Sequence, residues 1–470
     1  MNLHVAILAS YSLVLLALGL WIGRRVRDAS DFFVAGRRLG PGLIFSTMLA
    51  ANIGAGSTVG ATGIGYSSGL SAWWWVGSAA IGSGILALWI GPAMRREAAA
   101  HDLRTVGDYL EYRYGRAVRL VVSAILWLGS LQLLGAQLIA IGTILDVVAG
   151  VPFSVGCALG GLLITVYFAA GGLLTSAWVN VVQLGVKLFG FALALPLAIA
   201  AFGGWEAVGR VRADDVAYWT FWRTGPPGVM YLVMLVPAFI VSPGLLQKIF
   251  GARDDHAVRA GVGANALGLF AYAAVPALLG IVARGRFPQL SDDRLALPMI
   301  LMYGLPPAVG AIGLAAVFSA EVSAADAALF MLTTSLSQDL YKRFANPRAT
   351  DQQIFRVARW TTLLSGTLAT TIAIVSASII SALTIFYTLL GVTLFVPIVA
   401  GLFARRTSTF GALASIAAGV CAMLIVEAAT EGRGWGWVTP ALAGLTAAIS
   451  AWAVSLAVES VRGHAGAQTT

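Results

Sequence analysis

Residues 50–57 read Ala50-Ala51-Asn52-Ile53-Gly54-Ala55-Gly56-Ser57. They fall inside an apolar run from about 41 to 66, at the depth where a membrane-crossing helix is furthest from water. Glycines and small polar groups fit a continuous helix poorly there. A second interruption, Ser242-Pro243-Gly244, falls inside the run 229–250, where proline removes a backbone donor. Backbone left unpaired cannot face lipid, so each break must line a cavity or be buried in protein. Matched breaks in two halves are the pattern of inverted-repeat transporters, with the solute between the halves. For either break alone, tight packing of glycine and proline is the alternative.

The rest of the chain agrees with a membrane setting. Its 470 residues are 59% hydrophobic and 11% charged, with mean hydropathy +0.85; soluble domains carry about 25% charged residues. Fifty-four glycines fit backbone-to-backbone helix packing in a bilayer. Spans are expected near 3–23, 41–66, 72–94, 120–149, 152–170, 177–202, 229–250, 260–283, 307–338, 357–379, 381–404, 409–428 and 437–459. The expected fold is therefore all-α, a membrane protein of about 13 transmembrane helices. The broken spans each begin a group of five, 41–202 and 229–404, with one extra helix before (3–23) and two after (409–459), in a single membrane domain over 1–470.

No basic residue precedes the first span and Arg24, Arg25 and Arg27 follow it, so it reads as a retained helix rather than a signal peptide. With the N-terminus outside and the C-terminus cytoplasmic, 22 of the 30 Lys and Arg fall in cytoplasmic loops, seven in outer loops, and Lys187 inside a span. This bias matches the positive-inside rule for a cell (inner) membrane protein. The outer connections 203–228 and 284–306 have room for short surface helices but not for a domain.

Other classes fit less well. The four histidines, His4, His101, His256 and His464, lie at ends or in loops, so no span holds a haem or metal pair. No nucleophile motif stands out, and an enzyme is not expected. A channel needs a continuous polar pore, whereas the polar residues cluster at one depth. A sensor would append signalling domains, but only about ten residues follow the last span. The net charge of +9 is spread over loops and forms no nucleic-acid patch. Cys157 and Cys421 lie in apolar segments and imply no disulfide framework.

Five stretches carry a family likeness: Asp31-Phe32-Phe33-Val34-Ala35-Gly36-Arg37-Arg38; Ala50 to Gly56; Gly171-Gly172-Leu173 through Trp178-Val179-Asn180 to Gln183; Gln247-Lys248; and Phe318 through Asp326 to Asp339-Leu340-Tyr341-Lys342-Arg343. In this order the chain resembles the sodium/solute symporter family, whose members carry sugars, proline, pantothenate, iodide and other small solutes. The resemblance implies the LeuT-type fold, a five-plus-five inverted repeat. It implies a sodium site of backbone and hydroxyl oxygens at Ala50, Ile53, Ala320, Ser323 and Ala324. It also implies cation-coupled symport of a small solute by alternating access, with sodium favoured as coupling ion and the proton second, and no other cofactor. Solute-side residues are expected at Gly56, Ser57, Ser242 and Gly244, a small and weakly polar cavity without an arginine to clamp a carboxylate. Trp73, Trp74 and Trp75 sit at the membrane interface or roof the cavity, Trp74 being the candidate contact.

Three departures from the family pattern concentrate where a cation would bind. Ala324 stands where a second hydroxyl is common, and Asn180 where a carboxylate is frequent. Lys187 follows Asn180 by seven residues, about two turns along nearly one helix face. A charge inside the membrane costs about 2.5–3.5 kcal/mol on insertion scales, so Lys187 needs a partner or a role. Glu321 is the first candidate partner and Asp326 the second. The alternatives are a lysine that replaces the bound cation, giving an exchanger or transporter-like sensor, or that forms a static pair with Glu321. Lys187 could also serve an anionic solute. Asp326 has two readings as well, helix registration or a second cation site against hydrogen bonding within the bundle. Asn52 either supports the break or packs.

Overall fold

The apolar runs become helices because the chain in a bilayer must pair its own backbone groups. The computed structural model describes residues 3–23, 37–169, 172–222, 228–376 and 378–467. Most of the Asp31–Arg38 stretch lies outside the described residues, as do the side chains of 171–178. In chain order the helices are α1 (Leu3–Gly23), α2 (Pro41–Asn52), α3 (Ala61–Ser68), α4 (Trp73–Ile85), α5 (Gly91–Ala100), α6 (Val106–Tyr114) and α7 (Arg116–Ala149). They continue as α8 (Phe153–Ala169), α9 (Gly172–Phe202), α10 (Gly204–Gly209), α11 (Tyr231–Val241), α12 (Pro243–Phe250), α13 (Asp255–Tyr272) and α14 (Ala274–Arg286). The last six are α15 (Ala296–Tyr303), α16 (Pro307–Thr334), α17 (Asp351–Ser376), α18 (Ile379–Phe403), α19 (Thr409–Thr430) and α20 (Pro440–Ala467).

The described parts of the expected runs are mostly helical, the run 41–66 being interrupted between Asn52 and Gly56. Nine helices among the described residues are long and apolar enough to cross a membrane, and α1 and α8 are shorter apolar helices. The protein is an all-helical membrane protein; the described residues contain two isolated β-bridges and no sheet. The connections 203–228 and 284–306 hold α10, α15 and short 3₁₀ turns among the described residues; α10 is largely exposed, whereas α15 is not the expected surface helix but packs buried against α16.

Packing centres on a few helices. α9 lies along α16, α7 packs on both α16 and α18, and α13 and α14 back the first broken helix at α2 and α3. Backbone meets backbone between α3 and α14: a Cβ on Gly280 would touch Tyr66 N at 2.5 Å and one on Gly65 would touch Ala277 O at 2.6 Å. Gly69 ends α3 with φ +71, and any side chain there would run into the Tyr218 carbonyl, so glycine is required. On the side reached by the loop after α5, the segment before α2 and the segment after α12 form one β-bridge, with Leu39 N donating to Gly251 O (2.9 Å) and Arg253 N to Leu39 O (3.1 Å).

Candidate functional site

Following the hydrogen bonds through 50–58 shows what the first break exposes. In a continuous helix Gly54, Ala55 and Ser57 would donate to the carbonyls of Ala50, Ala51 and Ile53. Instead Gly54 N donates to Ser57 Oγ (3.0 Å), Ala55 N to Gln137 Oε1 (2.8 Å), and Ser57 N to Gly54 O (2.9 Å). Ile53 is extended (φ −92, ψ 95), which turns the chain out of the helix. Three carbonyl oxygens thus lose their donors inside the protein. Helix resumes through a wider π turn at Gly56–Gly60 leading into α3.

Lys187 supplies donors to two of the three, Ala50 and Ile53. Its ammonium, fully buried on α9, donates to Ala50 O (2.6 Å), to Ile53 O (3.1 Å) and to the Ser323 hydroxyl. Ser323 in turn donates to Ala50 O (2.8 Å), with Ala320 O at 3.1 Å. All three ammonium protons are therefore used. Three of the five expected sodium ligands, Ala50, Ile53 and Ser323, converge on one nitrogen. Ala320 reaches that cluster only through Ser323. Ala324 brings no oxygen, and its Cβ occupies the space a side chain on Gly54 would need.

The expected Lys187–Glu321 ion pair does not form. Glu321 is fully buried on α16 and accepts from the Thr58 hydroxyl at 2.7 Å, on the α3 side of the break. The physical reason is local: freed carbonyls lie within the ammonium's reach, and Thr58 holds the carboxylate elsewhere. Asn180 and Asp326 are buried on α9 and α16. Asn52 ties α2 to α13 through Asn265 (3.1 Å), and Ser319 joins three helices, receiving Tyr11 OH from α1 (2.7 Å) and donating to Gln183 O on α9 (3.2 Å).

Both breaks face one central cavity. Gly54, Gly56 and Ser57 line it from the first break, Ser242 and Gly244 from the second, Trp75 from α4, Gln137 from α7 and Phe386 and Tyr387 from α18. Ser57 lies on the cavity wall, but its hydroxyl is engaged with Gly54 N and Asn52 O (3.0 Å each). Trp74 lies outside the lining: its indole donates to Phe221 O (2.5 Å) and packs on Trp73 and Trp222. The neighbouring Trp75 lines the cavity, one residue further round the helix.

Sequence reading missed Gln137, Thr58 and Lys248. A lone polar side chain in the apolar run 120–149 was the available signal for Gln137. Lys248, counted above as a cytoplasmic loop charge, is instead buried on α12, where Nζ donates to Thr47 O (2.9 Å). A polar cluster below the cavity was missed as well. Arg119 pairs with Asp108 (2.9 Å), Glu111 (2.9 Å) and Asp339 (2.7 Å), and Arg343 also pairs with Glu111. Burial raises the Glu111 carboxyl, but hydrogen bonds and charge from Arg343 and Arg119 outweigh this and hold it below the usual carboxylate range. Gln247 donates to Arg104 O (2.7 Å) and Arg37 to Asp102 (2.7 Å), so one loop latches both broken helices.

The model of the sodium:solute symporter family matches residues 32–419. The chain belongs to the sodium:solute symporter family. Among curated relatives of this symporter-family protein, the sodium/pantothenate symporter of Escherichia coli (strain K12) is 27% identical, covering 94% of each chain. The high-affinity choline transporter 1 of Caenorhabditis elegans is 23% identical, over 90% of this chain and 77% of the relative. The sodium/glucose cotransporter of Vibrio parahaemolyticus is 24% identical, over 89% and 84%. Among solved structures, a Na+-coupled sialic acid symporter in a substrate-bound outward-open state superposes with TM-score 0.82 at 19% identity, covering 97% of this chain and 98% of that one. These relatives are transporters, and this symporter-family chain is not an enzyme.

Proposed function

We propose that the protein is a secondary active transporter that moves a small solute through the central cavity by alternating access, and that the Lys187 ammonium stands where a coupling sodium ion would otherwise bind. The observation that carries this is the convergence of Ala50 O, Ile53 O and Ser323 Oγ on Lys187 Nζ. Hard oxygens around a single positive charge are what sodium needs, and while the ammonium stays there they are occupied. Movement between access states is then rocking of the repeats 41–202 and 229–404 against their neighbours, with 3–23 and 409–459 outside them. Coupling would fall to the proton, or the carrier would exchange solutes. The distribution of Lys and Arg supports a cell (inner) membrane location with the N-terminus outside.

Sodium coupling is the second reading, because the matched relatives are named for sodium. In that reading Lys187 leaves the oxygens in one state. Proteoliposomes with sodium and proton gradients imposed separately decide between them. The expected result is uptake insensitive to a sodium gradient in the native protein, and changed coupling in Lys187→Ala. Full sodium-driven accumulation, unaltered by Lys187→Ala, would sink the role of Lys187.

A further inference from the structure

Two lysines are buried beside the breaks, and only one is satisfied by the protein. Lys187 has three acceptors for its three protons. Lys248, on α12 directly after the second break and 5% exposed, has one, Thr47 O. No carboxylate lies within ion-pair distance of Lys248 among the described residues. An ammonium out of water without a counter-charge is unfavourable. Lys248 lines the cavity, and no Asp, Glu, Arg or His shares that lining.

The remaining wall groups have the same polarity. Asn52, Ser57 and Gln137 are committed to holding the break and α13. Ser242 caps α12 without using its hydroxyl. The Trp75 indole nitrogen faces Gly56, lying 3.0 Å from where a Cβ on that glycine would stand. The Ser242 hydroxyl and the Trp75 indole N–H therefore add donors beside Lys248. Trp75, Phe239, Phe386 and Tyr387 give the rest of the lining an aromatic surface, with Phe239 and Tyr387 5.4 Å apart and Trp75 and Tyr387 6.4 Å apart.

We propose that the solute is a small organic anion with a single carboxylate, which lies toward Lys248 and the Ser242 hydroxyl while its apolar body rests on the aromatic wall. This rests on the transporter reading and gives that site its substrate class. One unbalanced positive charge matches one carboxylate, whose oxygens accept what the wall donates. A quaternary amine would suit the aromatic rings but would meet Lys248 as a like charge.

The test uses the full-length protein in nanodiscs, titrated with propionate, L-lactate and benzoate, with the matching amides, and with choline and glucose. At least one acid is expected to bind at least tenfold more tightly than its amide, and neither choline nor glucose to bind. Lys248→Met is expected to weaken that acid at least tenfold, and Lys248→Arg to retain it. Should Lys248→Met not fold, the acid–amide comparison on the native chain decides. Equal binding of acid and amide, binding of choline or glucose, unchanged affinity in a folded Lys248→Met, or no binding by any acid overturns the proposal. Counterflow in proteoliposomes separates the two claims: exchange of a neutral or cationic solute removes only the anion assignment. Absence of exchange for every solute class removes the transporter reading as well.

Discussion

Gly54 is the point at which single atoms decide the site. A Cβ there would overlap Ala324 Cβ and lie 2.7 Å from Gln137 Oε1, the acceptor for Ala55 N. Gly54→Ala should therefore destabilise by about 1–3 kcal/mol through overpacking; a melting curve in detergent indistinguishable from the native one would refute the close approach. Gln137→Leu keeps the volume but leaves Ala55 N–H buried without an acceptor, and should lose about 1–3 kcal/mol. At this scale much was legible beforehand. Glycine and small polar groups at mid-span announced bare backbone, and Lys187 announced a need for partners. What could not be read was which partners: Glu321 was nearest in chemistry, yet the carbonyls freed at Ala50 and Ile53 were nearer in space. Burial of Lys248 was also hidden, because a charged residue after a break resembles a loop residue until the fold encloses it.

Between elements, the Arg119 cluster fastens α6 and α7 to the π-helical segment Ser335–Ala345 that continues α16. Arg119 and Asp339 side chains are each 7% exposed, so Arg119→Met should leave Asp339 as an uncompensated charge and destabilise by about 3–5 kcal/mol. Loss below 1 kcal/mol on thermal unfolding would show that the cluster only decorates the surface. Glu111 supplies the pH dependence. Its folded-state pKa is depressed, so its contribution is fully present above the ordinary glutamate value of about 4.3 and is lost as pH falls through the lower folded value. The stability difference between native protein and Glu111→Gln should hold constant from neutral pH down to about 4.3 and shrink between there and the lower folded value; a difference that shrinks near pH 6 would contradict the assignment. Helix positions were legible because hydropathy records them directly. Ion pairs across Arg119 and Asp339 join residues 220 positions apart, and nothing in local sequence encodes such a pairing.

For the molecule as a whole, the proposed orientation, which the charge bias supports, is open to direct measurement. In a Cys157→Ala, Cys421→Ala background, a cysteine at Glu431 should react with an impermeant maleimide added to intact cells, while one at Thr407 should react only after lysis. The reverse pattern would invert the topology. The rung between Leu39 and Ala252 carries a larger consequence. It makes the feet of α2 and α12 a common hinge plate, and Lys248 bolts the same two pieces together at Thr47. A tilt of α12 would pull on Thr47, one turn from Ala50, and so on the oxygens gripping Lys187. Coupling between the second break and the Lys187 site would then require no relay of side chains, only a shared joint.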